Sequence, residues 1–167
     1  TDITASSNGW DGIYLHQSSN NQLTDITANS NDLCGIFLQS SSNNNQLTNI
    51  TANSNSDDGI HLKSSSNNTF TDITANSNYY YGINLENSNN NFFKDIIAME
   101  NSHDIYCSGS SENTGNNMVF CTSQQCNEWL VPTNPAYGQE DICDDGIDND
   151  CDGRADCSDT DCHGSGC

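Results

Sequence analysis

One stretch of this sequence is repeated five times at a nearly constant spacing. Its clearest copy covers residues 23–31 and, after three variable residues, continues as Gly35-Ile36-Phe37-Leu38. The same isoleucine recurs at steps of 23, 24, 23 and 23 residues, as Ile3, Ile26, Ile50, Ile73 and Ile96. Five copies at this period predict a solenoid, in which each repeat packs on its neighbours along one axis.

Within each copy the apolar residues alternate with polar ones. The pairs Ile26/Ala28 and Ile36/Leu38 have the period of two that is typical of β-strands. Leu23 and Ile26 are three residues apart, so both point inward only if the chain bends between them. Because Asn, Ser, Thr and Gly are poor helix formers, each repeat is predicted to be a coil of two or three short strands separated by corners.

Stacking of such coils brings equivalent side chains together at ~4.8 Å, the spacing of paired strands. The interior is then predicted to consist of columns of Ile, Leu and Phe. Asparagines at two corners are expected to form amide ladders, in which each amide bonds to the amides above and below it. The members are Asn8, Asn31, Asn55, Asn78 and Asn101 in the first ladder, and Asn21, Asn45, Asn68 and Asn91 in the second.

The Asn corner, the Gly-Ile-x-Leu strand and the Ser-Ser-Asn-Asn turn resemble those of the parallel β-helix repeat proteins, which include pectate-lyase-like and NosD-like chains. The resemblance covers about residues 1–107. It implies an all-β fold, a right-handed parallel β-helix of about five 23-residue coils, and the crossover rule favours the same hand. We expect three segments: β-helix coils over 1–116, a capping or linking segment over 117–139, and an acidic, Cys-rich tail over 140–167.

Charge restricts the partners of the chain. The formal net charge is −20, and the basic residues are Lys63, Lys94 and Arg154. Because nucleic acids and anionic membranes are bound through basic side chains, neither is an expected partner. No run of about 18 apolar residues occurs, so no membrane span is expected.

The cysteine content indicates an oxidising, extracellular environment. Nine cysteines are present, and most lie towards the C-terminal end. The odd number leaves one thiol free or paired with another chain. Cys34 stands apart in the variable turn of the second coil, so it is the expected odd cysteine in either of these two ways.

The tail has the spacing of a calcium loop. Carboxylates at alternate positions, a glycine for the turn and a backbone carbonyl together supply the hard oxygen ligands that calcium requires. The candidate ligands are Asp148, Asp150, Asp152, Arg154 through its carbonyl, Asp156 and Asp159.

Cysteines interrupt this loop, and it resembles the thrombospondin type-3 calcium repeats and related Cys-Asp-rich motifs of secreted microbial proteins. The resemblance implies bound calcium and disulfide-bonded cysteines; the candidates near and within the tail are Cys121, Cys126, Cys143, Cys151, Cys157, Cys162 and Cys167. A zinc site built from cysteines and His163 is the weaker alternative, because paired C-x-x-C knuckles are missing.

Several surface positions are candidates for modification or binding. Asn49 and Asn67 each begin an Asn-x-Thr glycosylation triplet, and Asn49 takes a position that other coils fill with aspartate, so it should face outward. Trp10 and the run Tyr79, Tyr80 and Tyr81 lie in variable turns and suit contact with a sugar or a neighbouring subunit. Packing of the tyrosines on their own turn is the alternative.

These features favour a non-enzymatic role. The copies are uniform, whereas an active site normally breaks a repeat locally, and Lys63 and Lys94 do not share a repeat position. The first coil shows no cap, and strand edges that neither pair nor close invite contacts that generate filaments. We therefore expect a secreted structural protein that assembles head-to-tail with copies of itself. A carbohydrate-binding or adhesive module is the second hypothesis, and a polysaccharide lyase or epimerase domain is the third.

Overall fold

The computed structural model describes residues 2–121 and 123–126, which form a parallel β-solenoid. Within these ranges the chain forms strands and turns and contains no helix. The strands are β1 Ile3–Thr4, β2 Ile13–His16, β3 Gln22–Thr27, β4 Ile36–Gln39, β5 Gln46–Thr51, β6 Ile60–Lys63, β7 Thr69–Thr74, β8 Tyr81–Glu86, β9 Phe92–Ala98, β10 His103–Ser108, β11 Thr114–Phe120 and β12 Ser123–Gln124.

Odd-numbered and even-numbered strands form two separate six-stranded sheets. The orders are β1-β3-β5-β7-β9-β11 and β2-β4-β6-β8-β10-β12, and the paired strands are parallel throughout. Each coil thus contributes one strand to each sheet and then climbs to the next layer. The predicted all-β solenoid of about five coils is confirmed.

The predicted columns coincide with the observed register. Ile26 pairs with Ile3 on one side and with Ile50 on the other, and the column continues to Met118. Strand β11 runs across the predicted boundary at residue 116, and β12 pairs with β10. The stacked coils therefore extend at least to residue 124, because the chain after 116 still offers a matching strand to each sheet.

A left-handed residue bends each long strand at the predicted position. Asp25 in β3 has φ 56°, and its equivalents Asn49, Asp72, Asp95 and Asn117 have φ between 53° and 55°. Asp and Asn adopt this conformation more readily than other non-glycine residues. The bend turns the side chain of Asp25 outward and lets Leu23 and Ile26 both pack inward, so short polar residues at this corner are a requirement of the coil.

The two amide ladders are formed as predicted. In the first, the Nδ2 of each Asn donates to the Oδ1 of the Asn one coil further, at 2.9–3.0 Å from Asn8 to Asn101. In the second, the corresponding distances are 2.9–3.1 Å, and the structure extends this ladder from Asn91 to Asn113. Each Oδ1 also accepts from the backbone N–H of the preceding member, so one side chain satisfies two buried donors.

Glycine precedes the Ile-x-Leu strand because the turns approach each other closely there. A Cβ at Gly59 would lie 2.7 Å from the carbonyl oxygen of Gly82 and 2.9 Å from that of Ala52. Both neighbours are backbone atoms, which cannot move aside as a flexible side chain could. The small residue at this column is therefore a packing requirement of the stacked coils.

Removal of one ladder amide should be costly. Asn55→Ala leaves the backbone N–H and the Nδ2 of Asn31 without their acceptor in a buried corner. We expect a loss of about 3–5 kcal/mol in the free energy of unfolding, measured by chemical denaturation. Ser56→Ala, at the adjacent exposed residue, is the matched control and should change stability by less than about 0.5 kcal/mol. Equal effects of the two substitutions would contradict the structural role of the ladder.

Candidate functional site

Three chemically reactive side chains meet where the variable turns of coils two and three stack. Cys34 and Asp58 each stand immediately before the close-packed glycine of their coil, so they occupy one column. His61 follows Asp58 by three residues and points to the outer side of β6. The ligating atoms of Cys34, Asp58 and His61 all lie within 4.8 Å of one another. We call these three residues the Cys-Asp-His cluster.

The His61 ring is held between fixed neighbours. Its Nδ1 lies 3.2 Å from the Oδ2 of Asp58, and its face stacks on Phe37 with the ring centroids 4.6 Å apart. Its Nε2 is buried and makes no hydrogen bond, and the nearest carboxylate oxygen, Oε1 of Glu86, is 3.9 Å away. Glu86 itself pairs with Lys63 at 2.7 Å.

Asp58 is almost completely buried and is oriented by two donors. Asn84 Nδ2 donates to its Oδ2 at 2.8 Å, and the backbone N–H of Tyr81 donates to its Oδ1 at 3.1 Å. Burial raises the pKa of Asp58 to about 7, because the charged form loses its hydration. Burial lowers the pKa of His61 to about 4 for the same reason. Near neutral pH the imidazole is therefore uncharged and able to act as a ligand.

Cys34 is a free and buried thiol. Its backbone N–H donates to Oδ1 of Asp11 at 3.0 Å, and 2% of the residue is exposed. Burial, and then the charge of Asp58, raise the pKa of the thiol above its ordinary range. Reactive cysteines have lowered pKa values, so this environment opposes nucleophilic attack. The Nε2 of His61 also faces Glu86, which is not the arrangement of a nucleophile and its general base.

The fold seen here agrees with the comparison to known families. The model of the family described as "right handed beta helix region" matches residues 1–131. The chain belongs to this family. Searches among curated proteins and among solved structures find no match. The resemblance inferred from the Asn corner and the Gly-Ile-x-Leu strand is thereby confirmed, and it now extends beyond residue 107.

The aromatic candidates of this right-handed β-helix are found in different environments. Trp10 is 75% exposed and Tyr79 is 69% exposed, whereas Tyr81 is half-buried and stacks on Tyr106 with ring centroids 4.5 Å apart. Tyr80 lies between them, edge-on to Tyr79 at 4.8 Å. The tyrosine run therefore combines packing on the turn with two rings, Tyr79 and Tyr80, that are open to solvent.

Both glycosylation candidates lie on the surface of the β-helix. Asn49 and Asn67 are exposed, and each has a left-handed backbone conformation. The Nδ2 of Asn49 donates to Oδ1 of Asp25 at 2.7 Å, so this amide separates two acidic layers of its column. Modification of these two residues stays a prediction.

Among the cysteines of the described ranges, one bridge is complete. Cys107 and Cys126 form a disulfide that spans 19 residues and ties β10 to the chain after β12. Cys107 escaped the sequence reasoning because it occupies a strand position equivalent to Leu85. Cys121 is also disulfide-bonded. Cys143, Cys151, Cys157, Cys162, Cys167 and the predicted calcium ligands, Asp148 to Asp159, lie outside the described residues.

The Cys-Asp-His cluster was not identified from the sequence, although a signal existed. Alignment of the coils on Gly35 and Gly59 places Cys34 and Asp58 in one column. The register of the strands then places His61 one layer away from Phe37.

No helix of the described part of the chain is long and apolar enough to span a membrane.

Burial predicts that Cys34 is unreactive in the folded protein. The test is alkylation by iodoacetamide at pH 8, followed by peptide mass mapping. Cys34 should be labelled slowly in the folded protein, because its thiol is both inaccessible and protonated. Denaturant should accelerate the labelling at least about 100-fold. Rapid labelling without denaturant, or recovery of Cys34 in a disulfide between two chains, would contradict the buried free thiol.

Proposed function

We propose that this right-handed β-helix is a non-enzymatic, secreted structural protein that lengthens by stacking head-to-tail on further copies of itself. The single observation that carries the proposal is the in-register stacking of near-identical coils, in which each strand pairs in parallel with the equivalent strand of the next coil. Ile3 is 48% exposed, whereas its column neighbours Ile26 and Ile50 are 2% and 1% exposed. A further coil of the same design would cover it.

The open end has the shape and the chemistry of a coil interface. Its concave surface is lined by the core residues of coil one and by polar residues at the rim, namely Ile3, Ile13, Leu15, Asn21, Gln22, Leu23, Thr24 and Ile26. The outer edges of β1 and β2 pair with no other strand of the described chain. Edges of this kind are templates for further pairing, and contacts that do not close into a ring produce filaments.

The far end of the described coils differs from the first. Met118 and Phe120 of β11 continue the apolar columns. Asn101 instead turns its Nδ2 to the carbonyl oxygens of Ala75 and Met99, and Asn113 turns its Nδ2 to that of Ser88. A head-to-tail junction therefore depends on backbone hydrogen bonds and apolar columns rather than on continuous amide ladders.

Charge and bonding support the rest of this proposal. A disulfide in the last coil suits secretion. Lys63 and Lys94, the candidate bases of a lyase, each pair with a carboxylate, Glu86 at 2.7 Å and Asp95 at 2.9 Å. In this proposal the tail binds calcium through its aspartates from Asp148 to Asp159, and the bound calcium stabilises one end of the solenoid.

A second candidate function, glycan binding, is favoured by one surface feature. Tyr79 stands beside a shallow pocket lined also by Ser54, Asn55, Ser56 and Ser77. An exposed aromatic ring next to hydroxyl and amide groups offers both the apolar and the hydrogen-bonding contacts that a sugar uses.

End-to-end stacking is tested by charging the open end. Ile3→Glu places a carboxylate on the apolar interface and should abolish assembly, followed as mass against concentration by light scattering and as particle length by electron microscopy. Tyr14→Glu is the matched control, because Tyr14 is 49% exposed on the outer side of the same coil. Wild-type protein that remains monomeric at the highest concentrations, or equal effects of both substitutions, would argue against the proposal.

Glycan binding is tested separately on an array of neutral and acidic oligosaccharides. Tyr79→Ala should lose about 1 kcal/mol or more of binding free energy, and therefore at least about fivefold in affinity, because it removes the exposed ring. Tyr14→Ala, an exposed aromatic on another face, should leave binding unchanged. Binding that survives Tyr79→Ala would remove this candidate.

A further inference from the structure

A thiol, a carboxylate and an imidazole converge in the Cys-Asp-His cluster, with their candidate ligand atoms all within 4.8 Å of one another. We propose that Cys34, Asp58 and His61 bind a divalent transition metal, with zinc as the best match. Sulfur, nitrogen and oxygen donors of these types form zinc sites with three protein ligands and one further position. None of these three residues belongs to the calcium loop predicted in the tail.

The spacing of the donors is close to that of a tetrahedral centre. Bond lengths of about 2.3 Å to sulfur and about 2.0–2.1 Å to nitrogen or oxygen separate the donors of a tetrahedral zinc site by about 3.3–3.6 Å. His61 Nδ1 and Asp58 Oδ2 are 3.2 Å apart, just below this range. The largest separation within the cluster is at most 4.8 Å, so the thiol needs to approach by no more than about 1.2 Å.

The charges around the cluster favour a cation. Asp11 accepts from the backbone N–H of Cys34 at 3.0 Å, Asp57 directly precedes Asp58 of the cluster, and Oε1 of Glu86 lies 3.9 Å from Nε2 of His61. Among the described residues, the positively charged side chain beside this group is that of Lys63, and it pairs with Glu86 on the outer surface. A divalent ion at the centre would offset the repulsion between these carboxylates and stabilise the thiolate form of Cys34.

The residues behind the cluster are placed as supports for metal ligands. With the metal on Nδ1, the proton of His61 resides on Nε2, the buried atom that lacks a hydrogen-bond partner and faces Glu86. A carboxylate behind a ligating imidazole is the usual arrangement in metal sites. Phe37 stacks on the ring, and Asn84 and the backbone of Tyr81 fix the orientation of Asp58.

A metal at this position would join two layers of the solenoid. Cys34 belongs to coil two, whereas Asp58 and His61 belong to coil three. Because the ion binds the folded chain and not the unfolded one, it would raise the stability of both coils by mass action. Because Cys34 and Asp58 are only 2% and 1% exposed, the ion would be closed off from a substrate, so the role that fits is structural rather than catalytic.

Titration of the full chain with cobalt(II), a spectroscopic substitute for zinc, tests the site. It is done with excess calcium, to occupy the acidic tail, and without reductant, to preserve the disulfides. We expect one equivalent of cobalt to produce the near-ultraviolet charge-transfer absorption of a thiolate ligand, and zinc to displace it. Zinc alone should raise the thermal midpoint of the wild-type protein.

Variants locate the metal. Cys34→Ser should abolish the charge-transfer band, and Glu86→Gln should weaken zinc binding by about 10- to 100-fold through loss of the support behind His61. His16→Gln, at an exposed histidine of coil one, is the control and should change nothing. If Cys34→Ser does not fold by circular dichroism, His61→Gln replaces it and should lose the band. A wild-type titration without a thiolate band, or a band that persists in folded Cys34→Ser or His61→Gln, would overturn the proposal.

Discussion

The hydrogen bond between identical amides in successive layers is the interaction on which this fold depends. The corner of every coil buries backbone N–H groups, and a buried donor without an acceptor costs about 1–3 kcal/mol. The Oδ1 of one asparagine accepts from the backbone N–H and the Nδ2 of the asparagine in the preceding coil. Its own Nδ2 donates to the Oδ1 of the asparagine in the following coil. This arrangement allows a chain that is 32% hydrophobic to enclose a continuous apolar core, because the polar corners satisfy one another.

The same stacking determines where chemistry can arise. In a solenoid, residues that are 23 or 24 apart become neighbours, so a substitution in one variable turn acquires partners in the adjacent turns. The side-chain amide of Asn49 donates a hydrogen bond to the carboxylate of Asp25. The carboxylate of Asp95 accepts a hydrogen bond from the amide of Asn117 and also pairs with the ammonium group of Lys94. The pKa of Asp95 is lowered by these two contacts. The Cys-Asp-His cluster shows the opposite result, in which burial exceeds pairing and the carboxyl pKa rises.

Most of the architecture was predictable from the sequence, because equivalent residues of successive repeats occupy equivalent positions in successive coils. The columns from Ile3 to Ile96, the bend next to Thr24 and both ladders follow from residues at fixed positions. The cluster was missed because Cys34, Asp58 and His61 are departures from the repeat, and a consensus hides departures. Cys107 was missed as a disulfide partner for the same reason, since it replaces a leucine in a core column.

The amide ladders also have a direction. Within each ladder the Nδ2 groups point towards the C-terminal coils, except those of the last members, Asn101 and Asn113, and each Oδ1 that accepts from a ladder amide points back towards the first coil. The dipoles of each column therefore add, as peptide dipoles do along an α-helix, but with the opposite polarity with respect to the chain. The N-terminal face of the rod carries the partial negative charge of both columns, so it attracts cations and hydrogen-bond donors, and the two faces of one rod are electrically distinct.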